Sequence, residues 1–293
     1  MRLMQLNSPN IVSRCLPCPV CNADCPLQYR HPEAQLHRCP QCDHCFSNPE
    51  SIDHQEAYGP EYFQEMHRNW FNNPNRGLFR KLHRIIRAHN PSASVLDVGC
   101  GNGNLLKYLH EQSPGMRLAG VDICALPTLD GIELRQGDAF ELDFGASFDV
   151  VISLAVIEHV ADVRTFVEKL RRLAKPGGLV IILTVNDRSL TYALARGLRR
   201  LNFAGGFNRL YSKHHLNHFN FESLAHLLTA GGLEILQTIR HHSPLAAIDV
   251  PANSPIMGKA LRTATWALFQ LELLTGRTIL QTVVCRVPPS SRN

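Results

Sequence analysis

The chain has 293 residues, of which 44% are hydrophobic and 19% charged, and its formal net charge is +5. That balance describes a folded protein with one full α/β domain and a smaller appendage, and it excludes both a disordered chain and a polytopic membrane protein. The modest positive charge allows an anionic partner, but no concentrated basic stripe with interleaved aromatics marks a nucleic-acid surface.

The first fifteen residues include Arg2, Gln5, Asn7, Pro9 and Asn10, which leaves no uninterrupted apolar core for a secretory signal. A cytoplasmic location is therefore expected. Seven of the ten cysteines fall between residues 15 and 45 at two-residue spacings, a usage that points to metal rather than disulfides. The head reads Cys15-Leu-Pro-Cys18-Pro-Val-Cys21-Asn-Ala-Asp-Cys25-Pro, then Cys39-Pro-Gln-Cys42-Asp-His-Cys45. Paired C-x-x-C knuckles separated by a short hairpin give four converging thiolates, and Cys18, Cys21, Cys39 and Cys42 are the expected ligands of a structural zinc in a zinc-ribbon-like domain. A rival register exists. Cys15, Cys18, Cys21 and Cys25 followed by Pro26 match a bacterial ferredoxin run, although the second run has Asn48-Pro49 where its fourth cysteine should be.

Residues 50–76 are polar and aromatic, with Asn72, Asn73, Pro74 and Asn75 marking a loop; Tyr58 and Tyr62 either line a site or pack the head onto the body. Leu78, Phe79, Leu82, Ile85 and Ile86 repeat at helical spacing. The stretch from Val95 to Asn104 is an apolar strand, a turn with glycines at 99, 101 and 103, and a helix start. Glycine there removes side chains where backbone approaches a ligand, and the helix N-terminus offers unpaired N–H groups, so the stretch is a cofactor cradle. A dinucleotide fingerprint would need its third glycine at Asn104.

Further strands are expected over residues 117–122, 132–136, 148–153, 179–184, 233–240 and 278–287, and helices over 162–174, 188–201 and 221–230. Lys175-Pro176-Gly177-Gly178 reads as a helix stop and turn. This alternation predicts a doubly wound α/β sheet. The segment from Ile256 to Leu274 is apolar but carries Lys259, Arg262 and Glu272, too short and too charged to span a bilayer; it is expected to pack on the core or a second subunit, with membrane-surface contact as the alternative.

The ordered set Asp97-Val-Gly99-Cys-Gly101-Asn-Gly103, Gly120-Val-Asp122, Gly137-Asp138-Ala139 and Leu154-Ala-Val-Ile-Glu158-His159-Val160 resembles class I S-adenosylmethionine-dependent methyltransferases. The likeness is closest to the subgroup that includes the ubiquinone-biosynthesis O-methyltransferases and small-molecule or glycan methyltransferases. Similar enzymes also carry a "CPxC … CPxC" head followed by F-x-N-P and Y-x-x-x-Y-F, here Phe46–Pro49 and Tyr58–Phe63. The resemblance implies a Rossmann-like, seven-stranded methyltransferase sheet over residues 94–293, a linker and cofactor-covering helical segment over 51–93 and the cysteine-rich, zinc-ribbon-like domain over 1–50. It implies acceptor-recognition insertions at about 186–220 and 241–277. It implies S-adenosylmethionine as cofactor, with Asp97 and Gly99 near its methionine end, Gly101 and Gly103 in the turn, Asp122 at the ribose, Asp138 and Ala139 at the adenine, and Leu154 against it. Leu154-Ala155 departs from the Met-Glu of some quinone-modifying relatives, so the resemblance does not extend to a quinone substrate.

A hydroxyl acceptor must lose a proton, and His159, just past the fourth strand, is the first candidate base, with His214, His215 and His218 as a second group. Arg188, Arg196, Arg199, Arg200, Arg209 and Lys213 suggest an anionic group on a small-molecule, saccharide or nucleotide-linked acceptor. A noncatalytic zinc-ribbon scaffold with a vestigial cofactor domain is the alternative. Transfer to an RNA base is disfavoured, because no Asn-Pro-Pro-Tyr motif follows the fourth strand.

Overall fold

The structure is a computed structural model that describes residues 15–48, 68–139, 141–145, 147–248 and 254–289. Tyr58, Tyr62, Phe63 and Pro49 lie outside these residues.

The head begins with a hairpin, β1 (Leu16–Pro17) and β2 (Asp24–Cys25), and continues into β3 (Leu27–Arg30), β4 (Gln35–Arg38) and β5 (Cys45–Ser47). Two helices follow, α1 (Arg68–Asn72) and α2 (Arg76–His89), and the loop expected at residues 72–75 is the break between them. Asn75 caps α2 by accepting from Leu78 N–H, and Leu78, Leu82 and Ile86 are buried, as the helical spacing required.

The body alternates β6 (Ser94–Val98), α3 (Asn104–Gln112), β7 (Arg117–Asp122), β8 (Glu133–Gln136), β9 (Phe148–Leu154), α4 (Val163–Leu173) and β10 (Ala174–Val185). It continues with α5 (Leu190–Arg200), α6 (Gly205–Leu210), β11 (Asn217–His218), α7 (Phe221–Ala230), β12 (Glu234–His241), α8 (Pro255–Thr275) and β13 (Leu280–Arg286). Seven strands form one sheet in the order β12-β13-β10-β9-β6-β7-β8, as expected from the sequence. Neighbours from β10 through β8 run parallel, while β13 is antiparallel to both β10 and β12.

Side chains alternate through this sheet into two cores. Leu96, Val98, Val151, Val180 and Ile182 pack under α4 and α7, whereas Val95, Val150, Ile152, Ile181 and Leu183 pack under α2, α3 and α5. Both faces of the central strands β6, β9 and β10 are covered, which is why their sequences are apolar runs, whereas the edge strands β8 and β12 are half-exposed and mixed in sequence.

Lys175–Gly178 is not the free turn that its composition suggests. β10 already pairs at Ala174 with Phe148, and after an irregularity it resumes at Leu179 opposite Val150. Gly177 N–H donates to Val287 O, and a Cβ on Gly178 would lie 2.9 Å from Asp149 O, so the glycines are held at the sheet's end.

The head is joined to the body by a strand. β11, from the stretch between the fifth and sixth strands of the body, pairs antiparallel with β5 and completes a sheet of order β11-β5-β4-β3. Arg164 donates to Pro19 O and Val20 O, both at 3.0 Å. Beneath the junction lies Asp187, whose side chain is fully buried: it accepts from Arg38 Nη2 at 2.6 Å, Arg196 Nη1 at 3.1 Å and the Tyr211 hydroxyl. Burial works against its charge, but the two guanidiniums hold its carboxyl below the ordinary value.

Candidate active site

The cavity at the C-terminal edge of β6, β7 and β9 is built from the turn that leaves β6. Gly99 has φ +76°, and a Cβ there would come within 2.3 Å of Val156 Cγ2. Gly103 sits at the N-cap of α3 with φ +68° and no capping side chain, so the turn enters the helix through a left-handed residue that only glycine adopts without strain. Gly101 donates its N–H to Asp122 Oδ2 at 2.8 Å, which ties the turn to the end of β7. Helix α1 closes the other side, where Asn104 Nδ2 donates to Phe71 O at 2.9 Å.

The resulting cavity is about 420 Å³ and is lined by Gly99, Gly101, Asp122, Asp138, Ala139 and Leu154, all anticipated from the sequence. A smaller cavity of about 90 Å³ shares Trp70, Phe71, Gly99 and Leu154 with it and adds Asp97. Gly103 lines neither among the described residues; its part is to turn the chain into α3.

Asp97 and Asp122 are both buried, and they differ in what they hold. Asp122 accepts from Gly101 N–H through Oδ2 and from Cys124 N–H at 3.0 Å through Oδ1, and it lines the larger cavity at the end of β7. No described residue donates to Asp97 Oδ1. Burial, with the nearby charge of Asp122, pushes the Asp97 carboxyl up to about 7. A buried carboxylate with an orphaned oxygen beside a glycine cradle suits a cationic N–H donor, such as the ammonium of an amino acid, so these residues fit S-adenosylmethionine.

On the far wall, β9 ends at Leu154, and Ala155 takes φ +57°, an uncommon backbone for a residue with a Cβ, before a single 3-10 turn over Ile157–His159. This presents Glu158 and His159 to the larger cavity. His159 Nδ1 lies 2.6 Å from His214 O. A carbonyl only accepts, so Nδ1 carries the proton in the neutral ring and Nε2 is the basic nitrogen. Glu158 is 2% exposed and accepts from Thr184 Oγ1 at 2.8 Å through Oε2; burial pushes its carboxyl up to about 7. His215 also lines the cavity, its ring centroid 4.9 Å from that of His159, and one ligand atom from each of Glu158, His159 and His215 lies within 4.8 Å of the others.

Of the second histidine group, only His215 reaches the cavity. His218 is fully buried beside Tyr192 and Tyr211, where burial lowers its pKa to about 3, and His214 contributes a carbonyl. Sequence reasoning passed over Trp70, Phe71 and Glu158 as lining residues. Glu158 had a signal, an acidic residue directly after the apolar pair Val156-Ile157 and directly before the candidate base.

The basic cluster expected at the acceptor is elsewhere. Arg196 belongs to the buried Asp187 network, and Arg188 Nε bonds Asp43 Oδ2 at 2.5 Å. Arg199 donates to Arg30 O at 3.0 Å and lies over the rings of Tyr29 and Phe207. No Lys or Arg lines either cavity among the described residues, and the charges of Arg188, Arg196 and Arg199 serve the joint between head and body instead of an anionic acceptor.

In the head, the structure gathers Cys18, Cys21, Cys39 and Cys42, with Sγ–Sγ distances of 3.6 Å for Cys18–Cys42 and 3.3 Å for Cys21–Cys39. Thiolates about 2.3 Å from a tetrahedral ion stand roughly 3.8 Å apart, so the set fits one metal bound by four sulfurs. Backbone N–H groups of Val20, Gln41 and Cys42 point at Sγ of Cys18 and Cys39, each at 3.4 Å. Cys25 lies beside Cys18 and Cys39 but donates its thiol to Ala23 O, and neither the exposed Cys15 nor the buried Cys45 belongs to the gathered set, so the ferredoxin register is not assembled.

Comparison with known proteins agrees with this architecture. The model of a family described as "Methyltransferase domain" matches residues 66–238. Among curated proteins, a ubiquinone biosynthesis O-methyltransferase of Chelativorans sp. is 31% identical over 165 residues, covering 46% of this chain and 64% of its own. One of Azorhizobium caulinodans is 38% identical over 112 residues, covering 34% of this chain and 44% of its own. The chain thus spans less than two thirds of these relatives. A solved chain from the complex between the Haloferax volcanii Trm112 methyltransferase activator and a methyltransferase has a TM-score of 0.50 at 18% identity, covering 80% of this chain and 98% of its own. That likeness concerns the fold.

Proposed function

The chain belongs to the methyltransferase domain family, and from that premise we propose that it methylates a hydroxyl of an uncharged small molecule with S-adenosylmethionine as donor. When bound, the cofactor supplies a methyl group on a positively charged sulfur whose leaving form is a neutral thioether. Asp97 holds the cofactor's ammonium, Asp122 accepts from its ribose hydroxyls, and Asp138 and Ala139 border its adenine. Leu154 and the glycine turn exclude water along its length.

The observation that carries the proposal is the His159 tautomer. With Nδ1–H committed to His214 O, Nε2 is the basic nitrogen in the same cavity as the cradle, where it takes the acceptor's proton. The otherwise apolar lining, with Trp70, Ile123, Val185 and Leu280, supports an acceptor with a hydrophobic ring; the relatives' description as O-methyltransferases supports oxygen as the acceptor atom, and a saccharide is the second class to screen.

Cys18, Cys21, Cys39 and Cys42 hold a structural zinc in this reading, and residues 1–50, 51–93 and 94–293 act as ribbon, cover and catalytic body. His215, from the 186–220 insertion, faces the acceptor. Free thiols are what a reducing compartment maintains, which supports a cytoplasmic location in this reading.

The test is native mass spectrometry of the purified protein with S-adenosylmethionine and zinc, followed by a screen of phenols, hydroxylated quinones and saccharides for S-adenosylhomocysteine release. One cofactor and one zinc per chain, with turnover on a hydroxylated ring, is the expected result. A protein that binds no cofactor is a ribbon scaffold, and the reading fails.

A further inference from the structure

Helix α8 is 21 residues long, yet Phe269 and Glu272 are its only buried side chains. Its N-terminal half is exposed nearly all round, and it is apolar: Ile256 is 82% exposed, Met257 54% and Trp266 52%. The helix is well made, with Ser254 capping its start through Met257 N–H, Pro255 at the first position and Gly276 closing it in the left-handed conformation. Such a helix exposes a large apolar area that water disfavours, so something covers it.

Helix α5 packs beside α8: Thr191 donates from N and Oγ1 to Glu272 Oε1 at 2.9 and 2.8 Å. Leu194 and Leu198 of α5 and Leu201 at its C-cap follow one another at helical spacing and are all exposed. Phe203, just beyond, is 68% exposed.

The charge on these helices is one-sided. No acidic residue occurs between Arg188 and Phe221, and the one acid in α8, Glu272, is buried. The exposed charges on α5 and α8 are Arg200, Lys259 and Arg262. A self-complementary contact with a second copy would set these cations against each other with no carboxylate on either helix to pair them. An anionic lipid headgroup layer satisfies both features, apolar side chains entering the acyl boundary and cations meeting phosphates. No described helix is long and apolar enough to cross a membrane, so the contact lies in the interface.

We propose that α8, together with the exposed stripe of α5, is an interfacial anchor that docks the protein on an anionic bilayer surface. This goes beyond the methylation reading and does not depend on it.

The experiment is flotation of the full chain with phosphatidylcholine vesicles and with vesicles containing about a third phosphatidylglycerol, at low and high salt, alongside Trp266 fluorescence. Each basic side chain near an anionic surface strengthens partitioning on the order of fivefold, so binding should be at least tenfold tighter to the anionic vesicles and should weaken with salt. Trp266 emission should shift to the blue, and the shift should vanish in Trp266→Phe. Ile256→Ser combined with Leu198→Ser should abolish flotation while S-adenosylmethionine affinity and circular dichroism stay unchanged, which separates lost docking from misfolding. Absence of flotation with anionic vesicles overturns the proposal. So does flotation unaltered in the double variant, or a dimer that is dispersed by that variant and binds no vesicles.

Discussion

Replacing Asp97 by Asn should make the cofactor-free protein more stable and the cofactor weaker. The carboxyl is fully buried, ionises near 7 in the fold against about 3.9 in an unfolded chain, and has an oxygen to which no described residue donates. An acid whose pKa rises on folding contributes stability that is intact below the unfolded pKa and is lost as pH climbs through the folded one. From the two values, the ionised group costs the native state about 4 kcal/mol at about pH 8 and about 2 kcal/mol at about pH 5. Asp97→Asn removes that cost, so its urea midpoint should exceed the parent's, and the gap should narrow on acidification. In the proposed reading the same substitution removes the partner of the cofactor's ammonium, and a charge-assisted hydrogen bond lost there should weaken S-adenosylmethionine binding about 10- to 100-fold by titration calorimetry. A variant less stable than the parent at about pH 8, or a gap that does not change with pH, would refute the burial argument; unchanged cofactor affinity would refute the ammonium assignment.

Truncating the anchor of the joint, Asp187→Ala, leaves Arg38 and Arg196 without their buried counter-ion and should cost about 3–5 kcal/mol in urea unfolding, whereas Arg172→Ala, which breaks only the exposed pair with Glu168, should change stability by less than about 0.5 kcal/mol. His159→Asn should lower acceptor turnover about 10²- to 10⁴-fold with cofactor affinity within about twofold, and Glu158→Gln should flatten the parent's pH–rate profile near neutrality. Turnover should survive EDTA at concentrations that leave the zinc in place; activity lost on chelation and restored by a divalent cation would show that Glu158, His159 and His215 bind metal instead of moving a proton. Cys39→Ser should lose the zinc equivalent by elemental analysis and render the head sensitive to limited proteolysis, while Cys15→Ser should do neither.

Sequence alone determined the parts of this protein that rest on local chemistry. The central sheet strands were legible because both their faces are buried and their runs are therefore continuously apolar, as in Val150-Val151-Ile152 and Val180-Ile181-Ile182. The turn at Gly99 and Gly103 was legible because left-handed backbone selects glycine at those positions, and the four gathered thiols because knuckle spacing reports their convergence.

Tertiary structure decided whatever depends on residues far apart in the chain. Arg196, Arg199 and Arg188 look like an acceptor's phosphate clamp only until Arg38, Arg30 and Asp43 from the head are placed against or beside them. The two-residue strand at Asn217–His218 carries no periodic signal, and it exists because β5 offers an edge to pair with. Charge state follows the same rule: Asp97 and Glu158 are ordinary carboxylates in the sequence, and each is pushed to about 7 by the burial that the assembled sheet imposes. Position along the chain specifies which groups are present, but solvation and partners, which set their protonation and chemistry, arise only when distant segments close around them.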